Sequence, residues 1–177
     1  MEILEGSSKY LAHKVAAKDG HKGFWLGEMA CKFNIMQVDF NTLKTGWGWY
    51  DGMYNWQWDD VVGAKTTKPV TNNVDVKVNR AFYLWVMVDG YDEPLLWNRS
   101  SVGEFETLKS LLKLGWKEWQ ADKTRLPTYK YTGSKDIKIG MGSSSIAQFD
   151  FMGCKQRKET FVTVSYTHLT LPTTTSV

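Results

Sequence analysis

Residues able to do chemistry are few in this chain, and their spacing argues against catalysis. His13 and His21 lie eight apart, with no cysteine near enough to complete a metal-ligand spacing. Asp59 and Asp60, with Asp51 upstream, are carboxylates of the kind a hard cation takes. Adjacent side chains on a strand point to opposite faces, however, so a solvated turn is the better account. Gly140-Met141-Gly142 followed by Ser143–Ser145 has the glycines of a phosphate loop. It lacks the closing lysine and the helix that should follow, and a hairpin loop is expected instead. Cys154 sits beside Lys155, a neighbour that lowers a thiol pKa, but has no histidine close in sequence. These residues give no catalytic set, no metal site and no cofactor motif. A non-enzymatic protein is expected.

Aromatic chemistry is what stands out. The chain holds 9 Trp, 8 Tyr and 8 Phe, and Trp47, Trp49, Tyr50, Tyr54, Trp56 and Trp58 fall within twelve residues. Cores rarely choose so many tryptophans where Leu or Ile would fill the space, because each indole N–H needs a partner. Alternation along a strand sends Trp47 and Trp49 to one face and Tyr50 to the other, and gives Trp56 and Trp58 a common face. Most single tryptophans are expected to pack a core, whereas the cluster is expected to leave one side for solvent or a ligand. Nucleic-acid bases stack on such surfaces at roughly 1–3 kcal/mol each, while Lys and Arg hold the phosphates. The candidate stacking residues are Trp47, Trp49, Trp56, Trp58 and Trp85. The cations interleaved with them are Lys44, Lys77, Arg80 and Arg99, and the C-terminal half adds Arg125, Lys130, Lys135 and Lys138. Net charge is only +3, but residues 109–158 carry eleven Lys or Arg against four acids. Residues 33–108 carry six against ten, so phosphate binding requires the fold to bring the basic half alongside the tryptophans.

The elements that must position these residues read as mainly β. A chain of 177 residues suits one domain. No apolar run approaches the roughly 20 residues of a membrane span, and the start lacks a signal peptide's order, so no membrane and a cytosolic life are expected. Two cysteines make no disulfide framework. Residues 1–30, poor in apolar side chains, read as a mobile arm. Met36, Val38 and Phe40 alternate as a half-buried strand, Asp51-Gly52 signals a turn, and 63–73 reads as a loop. Val74, Val76 and Val78 suggest another strand, and Ala81–Val88 the strongest one. Asp92-Glu93-Pro94 then turns into Leu95–Trp97. Ser101 with Glu104 is a capping box that opens a helix over Ser101–Leu114, with Phe105, Leu108, Leu111 and Leu112 as its apolar stripe and Gly115 as its C-cap. Short strands follow at Thr128–Thr132, Ile137–Ile139 and Ile146–Phe151. This order predicts one domain over 31–160, a five-stranded OB-like barrel with a helix between its third and fourth main strands. Residues 161–177 are expected to be a disordered tail.

Two resemblances extend this reading. Val164–Thr174 resembles the translation of an adaptor used in sequencing libraries, which makes the tail mostly non-native and the source a metagenomic fragment. The combination Asp39-Phe40, Leu43–Gly48, Asp51-Gly52, Trp56–Asp59 and Arg80–Phe82 resembles a group of poorly characterised tailed-phage proteins. Lys123–Tyr129, Gly133-Ser134, Gly140–Gly142 and Phe149 fit the same pattern, so the resemblance covers about 33–158. It implies a phage single-stranded-DNA-binding protein that supports replication or recombination in the cytoplasm of an infected bacterium, with replication or recombination proteins as further partners. A carbohydrate-binding or virion-associated β-module remains the alternative, because sugars also stack on exposed tryptophans.

Overall fold

The computed structural model describes residues 9–18 and 21–162. Its central strand is the one announced by Met36, Val38 and Phe40. This strand, β4 (Ile35–Tyr50), is buried on both faces from Met36 to Phe40, including Gln37 and Asp39. Along one edge it pairs antiparallel with β6 (Asn79–Val88), from Met36 opposite Val88 to Gly48 opposite Asn79. Its other edge is shared. β8 (Arg125–Ile139) pairs with Ile35–Gln37, and β5 (Tyr54–Trp58) pairs with Gly46–Tyr50. β7 (Leu95–Arg99) extends the sheet beyond β6, and β9 (Gly142–Gln156) forms a long hairpin with β8.

The first described residues correct the expectation of a mobile arm over 1–30. β1 (Tyr10–Lys18), β2 (His21–Leu26) and β3 (Met29–Ala30) are strands of the same sheet. β1 runs parallel to β7, with Leu11 opposite Trp97, and Leu11, Phe24 and Trp25 are buried. Leu11, Phe24 and Trp25 go inward while Tyr10 and Met29 stay exposed, so the segment's low hydrophobic content concealed a structural role. Both early histidines are occupied: His13 Nε2 lies 2.8 Å from Ser134 Oγ, and His21 Nε2 lies 2.9 Å from the Phe24 carbonyl.

Strand order is β3-β2-β1-β7-β6-β4-β8-β9, with β5 on the free part of β4. The path is open, ending at β3 and β9, so the five-stranded OB-like closure is not formed. Its ends approach through side chains: the Phe24 ring packs on Tyr131 and Phe149 at 5.2 and 6.2 Å. Val74–Val78, expected as a strand, is loop, and Val74 is 94% exposed. The alternation is present, but without a neighbouring edge a strand has no hydrogen-bonding partner.

The single described helix, α1 (Val102–Ala121), follows β7. It starts as its capping box predicts, with the Glu104 N–H donating to Ser101 Oγ at 3.2 Å. Leu108 and Leu111 are buried, and Phe105 and Leu112 are partly so. Gly115 does not stop the helix. A Cβ there would collide with Tyr129 Oη, which donates to the Leu111 carbonyl at 2.7 Å. The glycine permits close helix–sheet contact, and the helix runs on to its cap at Asp122.

A second, smaller cluster covers the opposite face of the sheet: Trp85, Met87, Leu96, Leu126 and Phe161. Phe161 is fully buried, and the Arg157 guanidinium lies 5.1 Å from its ring while also donating to Asp39 Oδ2 at 2.8 Å. The ordered chain therefore extends past 160, correcting the expected boundary. The adaptor-like stretch lies outside the described residues. Removing 164–177 is expected to leave the thermal midpoint unchanged. Phe161→Ala should lower stability by roughly 3 kcal/mol, as deleting a buried ring does. Thermal denaturation of the two variants beside the full chain checks both.

Candidate functional site

The dense aromatic segment folds as a hairpin whose turn, Asp51–Met53, places Gly52 at φ 80°. Its register sets Trp58 opposite Gly46, Trp56 opposite Gly48 and Tyr54 opposite Tyr50. Residues directly opposite in an antiparallel pair share a face, so the indoles stand over glycines. A Cβ at Gly48 would come within 2.7 Å of the Trp56 ring and 2.8 Å of Ser100 Cβ. Gly48 is thus the gap into which Trp56 leans. Three rings then overlap along β5. Tyr54 and Trp56 have centroids 5.7 Å apart with planes 13° from parallel, and Trp56 and Trp58 are 5.5 Å apart at 4°. Tyr50 meets Tyr54 edge-on at 5.1 Å, and Trp58 meets Tyr83 edge-on at 6.2 Å. Lys44 Nζ lies 4.7 Å from the Tyr83 centroid, a cation–π contact at the inner end of the row. Tyr50 and Tyr54 are 58% and 59% exposed, which makes the outer end of the row accessible. β5 pairs only with β4, so the ladder lies on an edge strand.

The remaining candidates divide between the two faces. Trp47 is buried on the other side of β4, where its Nε1 donates to the Thr66 carbonyl at 3.0 Å. Trp49, two residues on, shares that side. Trp85 is buried in the second cluster and reaches the ladder's end by donating Nε1–H to Tyr83 Oη at 3.0 Å. Arg80 packs over Trp47 at 5.0 Å and forks onto both Asp59 oxygens at 3.1 and 2.6 Å. Arg99 is committed through Nε to Glu104. Arg125, Lys130, Lys135 and Lys138 are exposed along β8, which meets β4 at the end opposite β5. β8 pairs there with Ile35–Gln37 and along its length with β9, away from the ladder strand. Lys77 is exposed in the loop before β6.

Comparison with protein-family models, curated proteins and solved structures finds no match to this chain.

The predicted residues brought together are therefore Lys44, Trp56 and Trp58. Tyr50, Tyr54 and Tyr83 complete the row; Tyr50 and Tyr54 belong to the aromatic cluster read from the sequence, but none of the three is among the stacking candidates named there. Their signal was present, since Tyr54 precedes Trp56 by two residues and Tyr83 alternates with Trp85. Elsewhere the chemistry is quiet. Burial pushes the Cys154 thiol up to about 11, with Glu118 adding to the effect, which reverses the lowering that Lys155 suggested. Among the described residues no three or more His, Cys, Asp or Glu are grouped to hold a metal, and no helix is long and apolar enough to cross a membrane.

Asp59 belongs to a structural knot where a solvated turn was expected: its side chain is fully buried against Arg80, Thr45 and Thr66. Burial by itself raises its carboxyl, but hydrogen bonds from Arg80, Thr45 and Thr66 overcome this and hold it well below the usual carboxylate range. The unfolded chain takes up this proton first, near its ordinary value of about 3.9. The stabilisation is therefore complete above that pH and is lost as pH falls towards the folded value. Urea midpoints are expected to decline below about pH 4. Asp59→Asn should be less stable at neutral pH and show a flatter acid decline, which a series of urea melts across that range checks.

Proposed function

We propose that this protein binds single-stranded DNA with little sequence preference and serves phage DNA replication or recombination in the cytoplasm of an infected bacterium. One observation carries the reading: three parallel, overlapping rings, Tyr54, Trp56 and Trp58, lie along an edge strand and end in an exposed tyrosine pair. Rings already held parallel pay little ordering entropy when a base extends their stack, and every base offers a π-face. Lys44 places a positive charge at one end of the row. The exposed β8 lysines offer further charge to a strand long enough to reach them. An OB-like closure is not required, because stacking needs only the ladder and its edge.

Carbohydrate stacking is the second reading, and one observation favours it. Arg80, expected to hold phosphate beside the tryptophans, is instead spent on Asp59. Salt separates the two. Oligo-dT titrated at low salt should quench tryptophan emission, and raising the salt should release it, with a slope of roughly 0.7 per phosphate contact. Sugar stacking would survive the salt. Absence of quenching and of any retained complex at micromolar protein rejects the DNA reading.

A further inference from the structure

A sheet leaves unpaired N–H and C=O groups along each edge, and proteins guard such edges against association. The two strands that end the path here are guarded. β3 is two residues long, and the helix covers β9: the Ala147 N–H donates to Thr107 Oγ1 at 3.3 Å and the Cys154 N–H to Glu118 Oε2 at 2.8 Å. Among the described residues nothing covers the outer edge of β5 in this way. β5 pairs with β4 alone, and its sequence Tyr-Asn-Trp-Gln-Trp contains no proline and no Lys, Arg, Asp or Glu. The Asp59 N–H donates to the Thr45 carbonyl at 2.7 Å, so Gln57 and Asn55, two and four residues back, also bond towards β4. Tyr54, Trp56 and Trp58 therefore aim their backbone groups outward.

The strand is also its own complement. Read from either end it runs aromatic, amide, aromatic, amide, aromatic, centred on Trp56. We propose that β5 pairs antiparallel with β5 of a second copy of this chain, across a two-fold axis at Trp56. Trp56 then lies opposite Trp56 of the second copy, and Tyr54 opposite its Trp58. Directly opposite residues share a face, so the rings of both copies meet on the ladder side, where cross-strand aromatic pairs are favourable. Asn55 and Gln57 meet on the other side. Asn55 gives Nδ2 to the Met53 carbonyl at 3.0 Å and keeps Oδ1 to accept from the amide of the second copy's Gln57. With no formal charge in the strand, self-pairing sets no like charges opposite one another. Any extended peptide can use the backbone groups, but alternation matched on both faces selects the strand's own copy. Such a contact is isologous and closes at two chains. It needs no DNA, and it joins the two ladders into one surface.

Sedimentation equilibrium of the full chain tests this, over about 5–300 µM for so small an interface and near 0.15 M salt to screen the flanking Asp51 and Asp60. Apparent mass is expected to rise from one chain towards two. Hydrogen exchange over the same series should slow at the Tyr54, Trp56 and Trp58 amides by about three-fold or more, and stay unchanged at Asn55 and Gln57. Gln57→Lys, at an exposed position, should abolish the rise, because the two lysines meet diagonally across the axis. Adding Asn55→Glu should restore it, since each Glu then lies opposite a Lys of the other copy. A single-chain mass throughout, association without slowed exchange at the three amides, or a Gln57→Lys chain that still pairs overturns the proposal. So does a double variant that stays single. If either variant unfolds, exchange in the unaltered chain decides.

Discussion

Glu104→Ala is expected to cost about 3–5 kcal/mol in urea denaturation near neutral pH, the range for removing one partner of a buried ion pair. Glu104 is 2% exposed and collects donors from three elements. Its Oε1 accepts from the His13 backbone N–H of β1 and from Trp97 Nε1 of β7, both at 2.9 Å. Its Oε2 accepts from Arg99 Nε and from Ser101 Oγ. The capping-box acid has therefore become the joint that ties β1, β7 and the helix start together. Its loss strands a buried indole N–H, a backbone N–H and a guanidinium at once, and unpaired buried donors carry their full desolvation cost. Glu104→Gln keeps the shape and one acceptor, and should lose distinctly less. A loss under about 1 kcal/mol for the alanine variant would show that these contacts contribute no more than a surface pair.

Trp56→Ala is expected to weaken oligo-dT binding by about five- to a hundred-fold, the worth of one stacking ring. Trp56 is the middle of the ladder, so its removal also takes away the ring against which Tyr54 and Trp58 lie. Trp49→Phe, on the opposite side of β4, should leave affinity close to unchanged. The pair of variants separates a ladder effect from a general loss of aromatic surface. Fluorescence anisotropy of a labelled oligo-dT measures both, and equal losses would remove the ladder from the account.

What the sequence disclosed was mostly local. Alternation located β4 and β6, the Ser101–Glu104 spacing located the helix start, and the i, i+2 tryptophans of β5 located the common face. What it concealed depends on partners distant along the chain. β1 and β2 look like a polar arm because their stability comes from a parallel pairing with β7 and from Phe24 packed against Tyr131. Gly115 reads as a helix stop, yet Tyr129 makes it a contact point. Arg80 and Arg99 read as free cations, but each finds a carboxylate that the local pattern does not assign to it. Charge in a sequence shows how many cations exist, whereas ion pairing decides how many remain for a ligand.

The most direct measurement is ultraviolet cross-linking of oligo-dT to the full chain at low salt, followed by mapping of the linked peptide. The account predicts adducts within the hairpin Tyr50–Trp58, centred on Tyr54 and Trp56. A complex whose adducts fall only on the β8–β9 hairpin, with none between Tyr50 and Trp58, would contradict it.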